Sequence, residues 1–600
     1  MRRVPRRIIR RVLLAVLPLA LFLPAVSVLP AVNAHAAPVQ GQSWQNWQPG
    51  PPKYGYELEN TSIPIPGGLK LAGIIAYPTT NVADQGTGTR APGKFPVIVE
   101  YTPYPTPIAT DWVHYGYISM QVRVLGTGGS INPGPFDFAG PESRTDGVTL
   151  VNYAASMPGS DGSVGMWGCS WPALQAMLAA AAIGPHSHLK AIAPFCNGPD
   201  TGPRQSFFSG GIPTSSVPAM LKISEYTGGQ PTTEAYFKSF VANILSGGPD
   251  AYLGSFWRTN VGPTMQDMAS IVHNNIPALL EVGWQDVNET YALAGYSALQ
   301  NTVAGRPLWA PMRGHSASPR YQIIVGNWQH GGGADNTLAL EWFDTWIKHM
   351  DTGMQDVKTT MHLFERGGTD RWIDTAKYPE VSHYSTIDLS GNGALTDGRP
   401  AAGQVKLTWN LPNVTGASVA YTTKPIAAGA TLAGPIAATV YASSSNTNLE
   451  LIGSLYDVAP DGAKTLITNG TVLGSLRQLD LSKSTFDRSG KITHPVIAQT
   501  HDSYLVPNRV YRFAIALTPT QWAIQPGHKL EFQLTTQAAR SCEQDLLGTD
   551  PCFFTPQQLK TLPGGVYTIR TGRQTPSALN LPLLPYRFFA TAPAPTGLSN

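Results

Sequence analysis

The spacing of hydrophobic positions changes repeatedly between about residues 50 and 200. Apolar runs of strand length are separated by stretches in which apolar residues recur at helical spacing, such as Val148, Val151 and Ala155. This alternation predicts a mostly parallel sheet covered by helices. The predicted strands here are FPVIVEY (95–101), GYISMQVRV (116–124), SVGMWGCS (163–170) and LKAIAPFC (189–196).

The alternation stops near residue 200 and returns after residue 275. Residues 201–275 mix Gly, Pro, aromatic and polar residues with short helical patches, which predicts a cap inserted into the sheet domain. Strand-like runs resume at IPALLEVGW (276–284) and RYQIIVGNW (320–328). The following LALEWFDTWIKHM predicts a helix with one face formed by Leu338, Trp342, Trp346 and Met350. The predicted sheet domain thus comprises residues 50–200 and 276–380.

Residues 385–600 show a different pattern of dense, strand-length segments rich in Thr, Val and Gly. Examples are VKLTWNL, AATVYASSS, NLELIGSLYDV and VYRFAIALTP. Short strands separated by turn residues predict an antiparallel β-sandwich, which we expect to be a separate C-terminal domain.

The first 36 residues have the order of features typical of a signal peptide. A basic start, MRRVPRRIIRR, precedes an apolar stretch interrupted by Pro18, Pro24 and Pro30, and the small-residue cleavage pattern Ala34-His35-Ala36 follows. We therefore expect residues 1–36 to be removed and the protein to be secreted to the extracellular side. A retained membrane anchor is the alternative, which the prolines disfavour. The sequence leaves the Sec and twin-arginine routes open.

Charge and cysteine content narrow the possible partners. Removing the six arginines of the signal from the 41 Lys and Arg leaves 35 basic against 38 acidic side chains, a formal net charge of −3. After removal of the signal peptide, the sequence contains no basic patch that would indicate nucleic acid as a partner.

The cysteines suit disulfide bonds. In an exported protein Cys542 and Cys552 predict a disulfide, and Cys169 and Cys196 are a second candidate pair. Neither pair has metal-ligand spacing, so we expect no metal and no other cofactor.

Ser170 lies where a predicted strand meets a predicted helix. Trp171 and Pro172 follow it, and LQAMLAAAA is a strong helix former with proline near its first turn. This is the setting of a nucleophile elbow, in which the next amide, that of Trp171, points at a nascent oxyanion. Pro172 stands where the GxSxG motif has its second glycine. The alternative interpretation is therefore that Ser170 is only a small residue that fills a tight bend.

Two later predicted strands are followed by residues that could complete a catalytic triad with Ser170. Asp286 follows IPALLEVGW, and His330 follows RYQIIVGNW. The chain order Ser, Asp, His is that of α/β hydrolases, and the carboxyl ends of parallel strands meet at one edge of a sheet. We therefore expect Ser170, Asp286 and His330 to lie together. The alternative for Asp286 is a loop acid that caps a helix, and the alternative for His330 is a loop histidine that faces solvent.

Several motifs resemble one known family. EYTPY (100–104), VGMWGCSW (164–171), PALLEVGWQD (277–286) and VGNWQH (325–330) resemble the cocaine esterase and X-Pro dipeptidyl-peptidase family of α/β-hydrolase serine hydrolases. LYDVAPDG (455–462) and QPGHKLEFQLTT (525–536) are similar to that family's jelly-roll domain. The resemblance covers most of the chain after residue 36. It implies an α/β-hydrolase sheet domain with an inserted helical cap and a C-terminal jelly-roll β-sandwich.

The resemblance also implies roles for individual residues. Ser170 would be the nucleophile, His330 the general base and then acid, and Asp286 the group that holds the imidazole tautomer. Tyr104 would donate its phenolic hydroxyl to the oxyanion beside the Trp171 amide, unless it is an aromatic packed in a proline-rich turn. Trp171 and Ala173 depart from the tyrosine and glycine more usual in the family. Cys169 is expected to point away from the cleft.

The substrate is predicted only as a class. We expect a secreted serine hydrolase that cleaves a small ester or amide, or a short peptide, through an acyl-enzyme, without a stable membrane anchor. A dipeptidyl-peptidase needs carboxylates for the substrate ammonium, and Glu225, Glu234 and Asp250 of the cap are candidates, although a solvated surface charge is the favoured interpretation of each. The alternative is an exported polysaccharide- or surface-binding protein with a degenerate hydrolase domain. The sequence does not predict the oligomeric state.

Overall fold

The computed structural model describes most of the chain beyond the predicted signal peptide. Residues 1–36 and Cys542 lie outside the described part, so the signal peptide and the Cys542–Cys552 disulfide stay predictions. The described ranges are 43–200, 202–259, 262–312, 317–409, 418–536, 552–562 and 565–598.

A mixed sheet forms the centre of the N-terminal part. Its strands, with one short hairpin (β8 and β9) beside it, are β1 (Gly55–Pro64), β2 (Lys70–Thr79), β3 (Gln85–Gly86), β4 (Phe95–Thr102), β5 (Ile118–Arg123), β6 (Ser160–Cys169), β7 (Leu189–Phe195), β8 (Phe208–Ser209), β9 (Ile212–Pro213), β10 (Ala278–Gln285), β11 (Tyr321–Gln329), β12 (Met361–Glu365) and β13 (Arg371–Thr375). The spatial order is β13-β12-β11-β10-β7-β6-β4-β5-β2-β1-β3. From β12 to β5 all neighbours are parallel, which confirms the predicted sheet.

Helices cover both faces of this sheet, as the continuous apolar runs of its strands require. The helices of this part of the chain are α1 (Pro141–Ser156), α2 (Trp171–Ala182), α3 (Ser216–Tyr226), α4 (Pro231–Ser246), α5 (Ser255–Thr259), α6 (Met265–His273), α7 (Glu289–Val303) and α8 (Asn336–Trp346), of which α3, α4 and α5 belong to the cap. Helices α1, α2, α6 and α7 pack against one face, and α8 packs against the other. The predicted helix face on α8 holds for Leu338 and Trp342, which are fully buried. It is wrong for Met350, which lies beyond the end of α8 and is exposed.

An aromatic cluster occupies the predicted cap. Phe237 and Phe240 of α4 are buried against Phe207 and Trp257, whereas Tyr226 at the end of α3 is exposed. Helix α6, in contrast, contributes Met268 to the main core beneath the sheet. In the described part of the chain no helix is long and apolar enough to span a membrane.

The C-terminal part is the predicted β-sandwich. Its elements are β14 (Ser385–Leu389), β15 (Leu395–Thr396), β16 (Gly403–Trp409), β17 (Ser418–Thr422), β18 (Ala430–Ser444), β19 (Glu450–Val458), β20 (Lys464–Leu473), β21 (Thr485–Phe486), β22 (Ile492–His494), β23 (Tyr511–Ile524), β24 (Lys529–Thr535), α9 (Pro556–Thr561), β25 (Gly565–Thr571), β26 (Ala578–Leu581), β27 (Leu583–Leu584) and β28 (Thr591–Ala592). An antiparallel sheet around β18 faces a second sheet, β17-β24-β19-β20, across one apolar core. Strand β28 returns to the first domain and pairs with β13 at the edge of its sheet.

Candidate active site

Ser170 occupies a sharp turn between β6 and α2. Its backbone has φ 69° and ψ −119°, a conformation that costs a residue with a side chain about 1–3 kcal/mol. Two hydrogen bonds hold it there: the Ser170 N–H donates to the Phe195 carbonyl at 3.0 Å, and Asn197 Nδ2 donates to the Ser170 carbonyl at 3.1 Å. The turn therefore has the strained geometry predicted for a nucleophile elbow.

Pro172 fits this elbow because of Gly168. A Cβ at Gly168 would collide with the Pro172 ring, so the glycine two residues before Ser170 leaves room for the proline two residues after it. Proline is also suited to the first turn of α2, since its missing N–H would have no partner inside the helix. The departure from GxSxG at Pro172 is thus accommodated locally.

Asp286 and His330 form a hydrogen-bonded pair at the carboxyl ends of β10 and β11. His330 Nδ1 lies 3.0 Å from each of the two carboxylate oxygens of Asp286. Because a carboxylate only accepts hydrogen bonds, Nδ1–H is the donor, and Nε2 is left as an acceptor. The Asp286 side chain is buried and accepts a further hydrogen bond at 2.8 Å from the Asn288 N–H.

Tyr104 brings a phenolic hydroxyl to Ser170. This hydroxyl donates to Ser170 Oγ at 3.4 Å and accepts a hydrogen bond from the Trp171 backbone N–H. Burial raises the pKa of Tyr104, so the phenol stays neutral and remains a donor at neutral pH. The hydroxyl of Tyr104 and the amide of Trp171 thus meet beside the serine, as expected for an oxyanion hole.

One cavity of about 600 Å³ connects these groups. Ser170, Trp171, Tyr104 and His330 line it. Most of its other walls are apolar and are formed by residues such as Phe138, Leu174, Phe207, Met220, Ile223 and Val287. Within the described residues, hydrogen bonds join Ser170 to Tyr104 and His330 to Asp286, and none joins Ser170 Oγ to His330.

Glu100 is a cavity residue that the sequence analysis did not select. It lies near the end of β4, lines the cavity and accepts a hydrogen bond from Gln121 Nε2 at 2.9 Å. Burial raises the pKa of Glu100 to about 7. A signal was present in EYTPY, where Glu100 precedes Tyr104 at a strand end. The proposed cap acids Glu225, Glu234 and Asp250 are not part of the cavity wall that the structure describes.

Cys169 differs from its expected orientation. It is half-buried and lines the cavity, and it forms a disulfide with Cys196, the residue after β7. The prediction that Cys169 points away from the cleft is therefore wrong, and the pairing with Cys196, which the sequence left open as a candidate, is present.

Two family models match the chain in succession. Residues 68–332 match that of the X-Pro dipeptidyl-peptidase (S15 family), and residues 354–542 match the X-Pro dipeptidyl-peptidase C-terminal non-catalytic domain. The chain belongs to the X-Pro dipeptidyl-peptidase and cocaine esterase family. This S15-family protein is accordingly a hydrolase of the serine peptidase and esterase class.

Similar proteins carry several hydrolase names. A provisionally named serine esterase of Mycobacterium bovis is 22% identical to this S15-family hydrolase over 555 residues, 79% of this chain and 84% of the relative. Among solved structures, a CocE/NonD family hydrolase from Staphylococcus aureus has a TM-score of 0.69 at 16% identity and covers 88% of this chain and 94% of its own.

Two further solved structures share this architecture. An α-amino acid ester hydrolase has a TM-score of 0.64 at 16% identity and covers 93% of this chain and all of its own (100%). An aminopeptidase from a Thaumarchaeota archaeon has a TM-score of 0.62 at 17% identity and covers 90% of this chain and 98% of its own. At these identities the structural matches show the shared fold.

Proposed function

We propose that this hydrolase cleaves an ester or amide bond through an acyl-enzyme formed on Ser170. The observation that carries the proposal is the convergence of three groups in one cavity: Ser170 Oγ, the Tyr104 hydroxyl with the Trp171 amide, and the imidazole of His330 paired with Asp286. Nucleophile, oxyanion donors and general base are the parts that acyl transfer requires.

In the first step, Ser170 Oγ attacks the carbonyl carbon of the substrate while His330 Nε2 takes the serine proton. Asp286 stabilises the imidazolium that forms, because it accepts the hydrogen bond from Nδ1–H. This transfer needs Nε2 and Oγ within about 3 Å in the substrate complex. We expect substrate binding to bring the two atoms to that distance.

The negative charge that develops on the substrate oxygen is stabilised by Tyr104 and Trp171. The Tyr104 hydroxyl turns from Ser170 Oγ to the oxyanion, and the Trp171 N–H becomes a second donor. Collapse of the tetrahedral intermediate releases the leaving group with a proton from His330. A water activated by His330 then hydrolyses the acyl-enzyme.

The size and lining of the cavity support a small molecule or a short peptide as the substrate. A volume of about 600 Å³ with mainly apolar walls suits a compact acyl group that is largely buried when bound. The relatives named above include an esterase, an amino acid ester hydrolase and an aminopeptidase, and a single fold supports all of these activities. Ester and peptide substrates must therefore be compared directly.

The test is hydrolysis of p-nitrophenyl acetate and of an Xaa-Pro-p-nitroanilide by the wild type, Ser170→Ala and Ser216→Ala. Ser216 also lines the cavity and serves as the matched control. Turnover lost only in Ser170→Ala supports the proposal, and the preferred chromogenic substrate separates an esterase from a dipeptidyl-peptidase. Full activity in Ser170→Ala would refute it. No turnover of either substrate, together with no labelling by a fluorophosphonate, would favour the surface-binding alternative.

We also propose that the mature protein acts outside the cytoplasm. The order of basic, apolar and small residues within 1–36 supports export, and the Cys169–Cys196 disulfide suits an oxidising compartment. N-terminal sequencing of protein from the culture medium should begin at Ala37. An N-terminus at Met1 on protein that stays with the cells would contradict export.

A further inference from the structure

The Cys169–Cys196 disulfide lies where two neighbouring strands end at the elbow. Cys169 is the last residue of β6, immediately before Ser170, and Cys196 directly follows β7. The two Cα atoms are 5.0 Å apart, and Ser170 and Cys196 both have positive φ, 69° and 58°. The covalent bond therefore joins the two backbone turns at which the strand pairing ends.

Hydrogen bonds extend this link to the acid of the site. Asn288 Nδ2 donates to the Cys196 carbonyl at 2.8 Å, while the Asn288 backbone N–H donates to Asp286 Oδ1 at 2.8 Å. The Cys196 backbone N–H donates to the Glu281 carbonyl of β10 at 2.7 Å, and Asp286 follows that strand. The Cys196 side of the disulfide is thus tied to the strand and the loop that carry Asp286.

The Cys169 side contacts the loop of the base. A Cβ at Gly331, the residue after His330, would lie 3.8 Å from Cys169 Sγ, which places this backbone against the sulfur. Cys169 also lines the catalytic cavity, whereas Cys196 is buried behind it. One disulfide is thus in contact with the segments that carry Ser170, Asp286 and His330.

We propose that the Cys169–Cys196 disulfide is a positioning element that fixes the Ser170 turn relative to the Asp286–His330 pair. The proposal rests on the proposed acyl-enzyme function. Breaking the bond lets the elbow relax, so it lowers kcat. KM changes little, because much of the cavity wall, including Phe207, Met220 and Ile223, lies outside the segments that the disulfide joins.

The first test uses Cys169→Ala/Cys196→Ala, with Cys542→Ala/Cys552→Ala as the matched control. We expect kcat for p-nitrophenyl acetate to fall at least tenfold in the first variant, with KM within about twofold of the wild type, and the control to keep both values. Slower fluorophosphonate labelling should accompany the loss of kcat. An unchanged kcat in a Cys169→Ala/Cys196→Ala variant that has the same unfolding temperature as the wild type would overturn the proposal.

The second test breaks the bond without a substitution at the site. In Cys542→Ala/Cys552→Ala, dithiothreitol reduces the Cys169–Cys196 disulfide to two thiols and is itself oxidised to its cyclic disulfide. With two thiols titrated and the native circular dichroism retained, kcat should fall and return on reoxidation. Full activity of the reduced protein would overturn the proposal even if the alanine variant fails to fold. A wild type without turnover and without labelling would instead refute the proposed function and, with it, the positioning role.

Discussion

His330 Nδ1 lies 3.0 Å from both carboxylate oxygens of Asp286, although 44 residues separate the two in the chain. The contact arises because β10 and β11 are parallel neighbours, with Gly283 opposite Gly326, so the residues that follow them emerge at the same edge of the sheet. This single relationship fixes the tautomer of the neutral imidazole and leaves Nε2 to accept the proton of Ser170, the proposed nucleophile.

Asp286→Asn should lower kcat for p-nitrophenyl acetate by roughly 10⁴-fold, because an amide NH₂ beside Nδ1 favours the tautomer that leaves Nε2 protonated. Steady-state kinetics at pH 7.5 measure this. Asp457→Asn is the control, since Asp457 pairs with His528 at 2.7 Å in the sandwich. Equal losses in both variants would show that Asp286 acts through folding alone.

Tyr104→Phe should reduce kcat by roughly 10²–10³-fold with little change in KM, because it removes one donor to the oxyanion and keeps the ring. Tyr226→Phe provides a matched control, as Tyr226 lines the same cavity with its ring centroid 6.2 Å from that of Tyr104. A loss confined to KM would assign Tyr104 to substrate binding rather than to the oxyanion.

Glu100 should make the selectivity of the cavity depend on pH. Since burial raises the pKa of Glu100 to about 7, its carboxyl is neutral below that pH and anionic above it. The ratio of kcat/KM for the p-nitrophenyl ester of trimethylglycine to that of the isosteric, neutral 3,3-dimethylbutanoate should therefore rise between pH 6 and 8.

The ratio isolates Glu100 because the two esters undergo the same acyl-transfer steps, so that pH effects on those steps cancel. Glu100→Gln should give a constant, low ratio across the same pH range. A constant ratio in the wild type, or the same rise in Glu100→Gln, would exclude Glu100 from substrate selection.

Glu281 should make folding stability depend on pH. Burial and the nearby Asp286 charge raise the pKa of Glu281 to about 8 in the folded state, against about 4.5 for a glutamate side chain in water. The folded state therefore holds the proton more tightly, and stability is lost as the pH rises from about 4.5 through 8, by at most about 1.4 kcal/mol per pH unit.

Glu281→Gln removes this titration and retains an oxygen that accepts the hydrogen bond from Trp328 Nε1. Its free energy of unfolding in urea, minus that of the wild type, should increase between pH 5 and pH 8, because the wild type loses stability over this range and the variant does not. A difference that does not change with pH would show that Glu281 titrates alike in the folded and unfolded states.

The sequence predicted the parts of the site that follow from strand order. Ser170, Asp286 and His330 each come directly after an apolar run of strand length, and parallel pairing places such positions at one edge without further information. The same runs predicted β4, β6, β7, β10 and β11 to within a few residues. In the C-terminal part, dense strand-length segments separated by turn residues predicted the sandwich.

Features that depend on contacts between distant segments were not predictable. Glu100 faces the cavity, whereas the proposed cap acids do not, and only the packing of the cap decides this. Cys169 is bonded to Cys196, which is distant in the sequence, and α8 ends at Trp346, with His349 at a positive φ of 56°, although the apolar spacing continues to Met350.

Covalent labelling of Ser170 tests the central claim most directly. The purified protein would be treated with a fluorophosphonate, digested and mapped by mass spectrometry. The account predicts one adduct, on Ser170, formed with the loss of esterase activity, and strongly slowed in Asp286→Asn. No adduct, or an adduct on another residue while Ser170 stays unmodified, would contradict it.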